Sequence, residues 1–136
     1  MKFMLIMNTP RDGYAQYMKW PKKILEANTA FMQALSKKLT EAGELVGAEG
    51  LASPEQAKLV RAGRDGKPVT DGIFPESKEY LAGYWIVDVE SPERAVQIAA
   101  EASTAPGAPV KRADDTTLEN LWIEVREVMA CHKDLE

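Results

Sequence analysis

The chain has little of what metal and nucleophile chemistry uses: one cysteine, Cys131, and one histidine, His132, side by side in 136 residues. A single cysteine excludes an intrachain disulfide, and nothing calls for an oxidising compartment. Without further soft ligands a zinc site within one chain is not expected. Sequence neighbours in a polar tail also make no Cys-His catalytic pair, which needs a scaffold and an orienting group. Basic residues are outnumbered, 17 Lys and Arg against 21 Asp and Glu, and the formal charge of −4 argues against a nucleic-acid surface. No apolar run approaches a membrane span, and the apolar start Phe3-Met4-Leu5-Ile6-Met7 leads into Asn8-Thr9-Pro10-Arg11-Asp12 instead of a small-residue cleavage site. A cytoplasmic protein with no membrane or nucleic-acid partner is expected. No glycine pattern cradles a phosphate and no calcium-loop spacing occurs, so neither cofactor nor metal is expected.

What is present suffices for one core. At 45% apolar composition, residues 1–130 make a single domain, followed by a polar tail over 131–136. Charge is uneven: residues 1–43 carry seven Lys/Arg against three acids, residues 114–136 two against seven, a split suited to contacts between chain ends or subunits. Residues 2–8 read as a buried strand. Pro21 opens a helix with Ile24, Phe31, Leu35, Leu39 and Ala42 on one stripe, which Gly43 closes. Asn28 falls inside that stripe and is read as an edge residue with a local hydrogen bond. Strands follow over 44–51 and 57–62, joined as a hairpin through Ser53-Pro54-Glu55-Gln56, in which Glu49 can pair with Arg61. Gly63-Arg64-Asp65-Gly66 turns into a short strand near 67–70. Residues 83–89 form the clearest strand, and Ser91-Pro92-Glu93 starts a second helix whose inner face is Ala95, Ile98, Ala99 and Ala102. Residues 104–117 read as irregular, and 122–129 as the last strand.

This order is α+β: a ferredoxin-like βαββαβ plan with an inserted hairpin. Two helices cover one face of such a sheet. Yet the strands are apolar on both, with Met4 and Ile6 behind Phe3 and Leu5, and Tyr84 and Ile86 behind Trp85 and Val87. An open patch of that size needs cover, most simply by the sheet of an identical subunit.

Asp71-Gly72-Ile73-Phe74-Pro75-Glu76-Ser77-Lys78-Glu79 gathers four charged side chains, a glycine, a proline and a Phe just before Gly83-Tyr84-Trp85-Ile86-Val87. That density suits a binding loop. The segment resembles the DGPF signature of the YCII-related family, with Ile73 where the signature has proline and Pro75 two residues later. Lys2-Phe3-Met4-Leu5-Ile6, Glu49-Gly50-Leu51 and Ile123-Glu124-Val125-Arg126 extend the likeness over most of residues 1–129. It implies a ferredoxin-like fold assembled as a dimeric α+β barrel. It also implies fold kinship with small lactone isomerases that use a His and Asp pair, and a link to sigma-factor-associated proteins. Trp20-Pro21-Lys22-Lys23-Ile24 has no histidine and Glu101-Ala102-Ser103-Thr104-Ala105 no aspartate, so that pair is missing.

The candidate chemistry therefore falls to carboxylates. Asp71 and Glu76 are the candidate proton-transfer groups, since a crowded or poorly hydrated carboxylate titrates closer to neutrality. Phe74, Lys78, Glu79, Glu49 and Tyr84 are the candidate ligand contacts, with Lys78 anchoring an anionic group; Tyr84 and Trp85 serve equally as core or interface residues. The expectation is a homodimer binding a small polar or cationic molecule, with cofactor-free isomerase-like chemistry. The alternative is a non-catalytic sensor or interaction module in transcriptional regulation.

Overall fold

The computed structural model describes residues 1–72, 79–107, 110–111, 117–118 and 120–131. In chain order it runs β1 (Lys2–Thr9), α1 (Gly13–Met18), α2 (Lys22–Glu41), β2 (Leu45–Gly50), a 3-10 turn (Pro54–Gln56), β3 (Leu59–Ala62), β4 (Pro68–Asp71), β5 (Tyr80–Asp88), α3 (Pro92–Ser103), β6 (Val110–Lys111), β7 (Thr117–Leu118) and β8 (Ile123–Glu127). The main sheet has the order β2-β5-β1-β8 with antiparallel neighbours, which is the ferredoxin-like arrangement. It is an open sheet, not a closed barrel. Among the described residues no helix is long and apolar enough to cross a membrane.

Each helix is read from its ends. Ser91 accepts a bond from the Arg94 N–H at 3.2 Å and Pro92 occupies the first turn of α3, which satisfies one orphan donor and presets φ. The predicted inner face of α3 is the observed one: Ala95, Ile98, Ala99 and Ala102 are all buried. Gly43 ends α2 at φ 72°, with its N–H on the Thr40 carbonyl at 3.0 Å and the Glu44 N–H on Leu39 at 2.8 Å. This double bond pattern requires a left-handed residue just past the helix. The core joins Phe3, Leu5, Trp85 and Val87 of the sheet to Leu35 and Leu39 of α2 and to the α3 face. Leu5, Leu39, Val87 and Ile98 are its fully buried side chains.

Four expectations are corrected. β2 does not pair back with β3; its partner is β5, with Leu45 opposite Val87 and Ala48 opposite Trp85, because that register sends both side chains into the core. β3 pairs instead with β4, in a hairpin whose strand residues are all exposed. Glu49 and Arg61 accordingly make no ion pair among the described residues, and a bulge between Leu45 and Gly47 places Glu49 on the opposite face from Leu45. Segment 104–117 is not wholly irregular, since β6 pairs with β7. Finally, β8 is shorter than expected, and its second face carries Glu124 and Arg126 opposite Ile6 and Met4, so the apolar second face is confined to β1 and β5. Trp122, just before β8, is 78% exposed.

The edge of β2 is fastened to α3 by one bidentate pair. Arg94 donates Nε–H to Glu44 Oε2 at 2.9 Å and an Nη2 proton to Oε1 at 2.8 Å, both partly buried. The guanidinium's hydrogen bonds hold the Glu44 carboxyl below its ordinary range and raise the Arg94 pKa. A carboxylate lowered in the folded state contributes fully above the unfolded value of about 4.3, and its contribution is lost as pH falls through the lowered value. Glu44→Gln is therefore expected to cost about 1–2 kcal/mol at pH 7 after discounting for solvent screening, with the gap to wild type closing under acid, as read by urea melts at a series of pH values. Ile98→Ala is expected to cost about 2–5 kcal/mol in the same melts at every pH, because it leaves a cavity and touches no charge.

Candidate functional site

The described residues gather a site around a short helix, α1, for which the sequence reading assigned no element. Gly13 begins α1 so close to β1 that a Cβ there would fall 2.6 Å from Thr9 Cβ, so only glycine lets the chain fold back at that point. The short helix then puts Tyr14 and Tyr17 on one face with Trp20 beyond them. Ring centroids lie 6.4 Å apart for Tyr14 and Tyr17, and 5.2 Å apart for Tyr17 and Trp20 in an edge-on contact. Gly107 lies against Trp20 so tightly that a Cβ would come within 2.6 Å of Trp20 Cη2. Asn28 of α2 donates from Nδ2 to the Pro106 carbonyl at 2.9 Å, and Ser103 at the end of α3 donates from Oγ to the Leu121 carbonyl at 2.8 Å. These contacts tie the segments after α3 to the aromatic wall.

Between this wall and the sheet lies a cavity of about 320 Å³. Met7 and Gly50 line it from the sheet side, Met32 and Asn28 from α2, and Ser103 from α3. Its size is at the lower end of small-molecule sites. Among the described residues that line it there is no Asp, Glu, Lys, Arg or His; the polar side chains are Thr9, Asn28, Ser103, the tyrosines and Trp20 with its indole N–H. The arrangement can stack, exclude water and donate or accept single hydrogen bonds.

Charge sits at the rim. Arg11, in the β1–α1 turn, donates Nε–H to Glu55 Oε1 at 2.5 Å and an Nη2 proton to Oε2 at 3.1 Å. Glu55 belongs to the 3-10 turn next to Pro54, a cavity-lining residue, so the pair links one wall to the other. The hydrogen bond raises the Arg11 pKa and lowers that of Glu55, though both groups are open to solvent.

None of the described candidate site residues, Asp71, Glu79, Glu49 and Tyr84, lines this cavity. Asp71 ends β4 on the exposed hairpin, where its Oδ1 accepts from the Gly72 N–H at 2.8 Å. Glu49 and Tyr84 lie opposite one another on the sheet face turned away from the helices. Glu79 lines a separate depression of about 310 Å³ with Asn8, Trp122 and Glu124. Phe74, Glu76 and Lys78 lie outside the described residues. Asn28 does make a hydrogen bond, but with a partner 78 residues away and at the cavity wall. The aromatic wall escaped sequence reasoning; the i, i+3 spacing of Tyr14 and Tyr17 ahead of Pro21 is the signal that points to it.

Comparison with known proteins places the chain in a family without assigning an activity. Over 86 residues it is 31% identical to an uncharacterized protein of Rhizobium meliloti (strain 1021), which covers 63% of this chain and 69% of that relative. The model of the YCII-related domain matches residues 1–110. With a four-stranded ferredoxin-like sheet behind that match, the chain belongs to the YCII-related family.

Proposed function

We propose that this protein is a small-molecule-binding homodimer of the YCII-related family, within its DGPF subgroup, that holds its ligand between the α1 aromatic wall and the sheet. The cavity of about 320 Å³ carries the proposal: the aromatic residues of the α1 segment wall it on one side and the sheet, α2 and α3 on the others. Two forms of this reading differ in chemistry. The sensor form, a non-catalytic ligand-binding or protein-interaction module in transcriptional regulation, is favoured by the lack of ionisable acids and bases among the described lining residues, tyrosines aside. The catalytic form, isomerase-like proton transfer by Asp71 and Glu76, is favoured by the 71–79 run leading straight into Leu81 and Ala82, which line the cavity. Thermal-shift screening of a metabolite collection tests the reading, since a ligand at a hundred times its Kd adds about 2.7 kcal/mol to stability. A hit is expected, and Asp71→Asn separates the forms: loss of turnover with affinity retained supports catalysis, whereas no turnover in wild type supports the sensor.

Dimerisation rests on the other face of the sheet. Met4, Ile6, Tyr84 and Ile86 form a half-buried apolar stripe along β1 and β5, flanked by Glu49 on one side and by Glu124 and Arg126 on the other. A second copy laid on this stripe would bury four large side chains per subunit, at roughly 1.5–3 kcal/mol each. Sedimentation at micromolar concentration is expected to give twice the 15.0 kDa chain mass. Ile86→Asp is expected to reduce it to the single-chain value while keeping the far-UV spectrum of the fold.

A further inference from the structure

We propose that residues 52–56 form a strap at the mouth of the cavity, latched by the Arg11–Glu55 pair, and that the cavity is entered when this latch opens. The strap governs access to the site proposed above and rests on that reading for what it admits. The two sides of the mouth differ in how firmly they are held. On the α1 side Gly13 is buried against Thr9 and its N–H is bonded to the Pro10 carbonyl at 2.9 Å, so the turn that carries Arg11 is fixed to β1. The facing side is Leu51, Ala52 and Pro54, which line the cavity from the connection between β2 and β3. Its last bond to the main sheet is that of the Leu51 N–H to the Ala82 carbonyl at 2.7 Å.

Beyond Leu51 the connection holds mainly to itself. The Gln56 N–H bonds to the Ser53 carbonyl at 3.1 Å, the Ala57 N–H to the Pro54 carbonyl at 3.0 Å, and the Glu55 N–H to Ser53 Oγ at 3.3 Å, all within the 3-10 turn. The β3–β4 hairpin that follows buries none of its strand residues and so gives the strap no anchor in the core. Among the described residues, the hydrogen bonds that leave this turn for another element are those of Glu55 with Arg11. Two parallel charge-assisted bonds define one closed geometry. Yet the two side chains are 49% and 55% exposed, and a pair so open to water holds weakly, so the strap opens at little cost. A latch needs both properties.

A paramagnetic probe on the intact protein tests the strap without a known ligand. Tempol, a small neutral nitroxide, is added to protein with methyl-labelled methionine, and methyl relaxation is measured by NMR. Met7 and Met32 line the cavity, while Met129, 89% exposed, is the outside reference. Arg11→Glu is expected to raise the enhancement at Met7 and Met32 about threefold, and Arg11→Glu combined with Glu55→Arg to return it near the wild-type value, with Met129 unchanged throughout. Equal enhancement at Met7 and Met32 in wild type and Arg11→Glu overturns the strap. So does a wild-type value that already matches Met129, or a failure of the exchanged pair to restore closure. The binding reading is judged apart from these, by the metabolite screen: the expected methyl response with no stabilising metabolite supports the strap and overturns the binding alone.

Discussion

The structure depends on how unevenly α2 meets the sheet. Twenty residues of helix span about 30 Å, and the fully buried contacts of α2 come from its second half, Leu35 and Leu39, with Phe31 and Met32 packed partly buried against the same core. Toward its start Ile24, Leu25 and Asn28 are half-buried, and Asn28 lines the cavity together with Tyr14, Tyr17 and Trp20. At one end of the sheet small residues let α3 settle directly onto Phe3, Trp85 and Val87. At the other end bulky rings hold the layers apart. The cavity is the difference between these two packings, so the same contacts that stabilise the domain also define where a ligand fits.

Much of this plan was legible in the residues, and the failures have identifiable causes. Ser91-Pro92-Glu93 and the Ala95, Ile98, Ala99, Ala102 spacing located α3 and its buried face because capping and helical period are local properties. The partner of β2 was not legible, since pairing to β5 is decided by which register fills a distant core, and the nearer segment 57–62 offered the shorter loop. The face of Glu49 was lost to a bulge, which shifts alternation by one residue and leaves no mark in composition. The aromatic wall was not legible either, because nothing in it carries charge. Acids and lysines announce chemistry in a sequence, whereas Tyr14, Tyr17 and Trp20 look like ordinary helix filling until the fold sets them over an unfilled space.

Charge in this protein works at joints. Glu44 with Arg94 fastens the edge strand to a helix end, Arg11 with Glu55 spans the cavity rim, and Lys38 with Glu101 at 2.8 Å links α2 to α3. Each pair joins elements far apart in sequence, and each lies where two elements would otherwise slide. Only the first is shielded enough to matter much for stability; the others are open to solvent and set geometry more than energy. The described cavity lining, by contrast, holds no Asp, Glu, Lys, Arg or His.

The two faces of the sheet thereby divide the tasks. Trp85 and Val87 commit one side of β5 to the core, and Tyr84 and Ile86, alternating with them, furnish the other side with the stripe proposed to meet a second subunit. Because successive residues of one strand serve both, a shift at such an interface would displace the core side of β5 as well. That strand also continues into the cavity through Leu81 and Ala82, and the Leu51 N–H is bonded to the Ala82 carbonyl at 2.7 Å. In the proposed assembly the cavity and the open face would therefore share one strand, which gives a bound molecule a physical route to what that face presents.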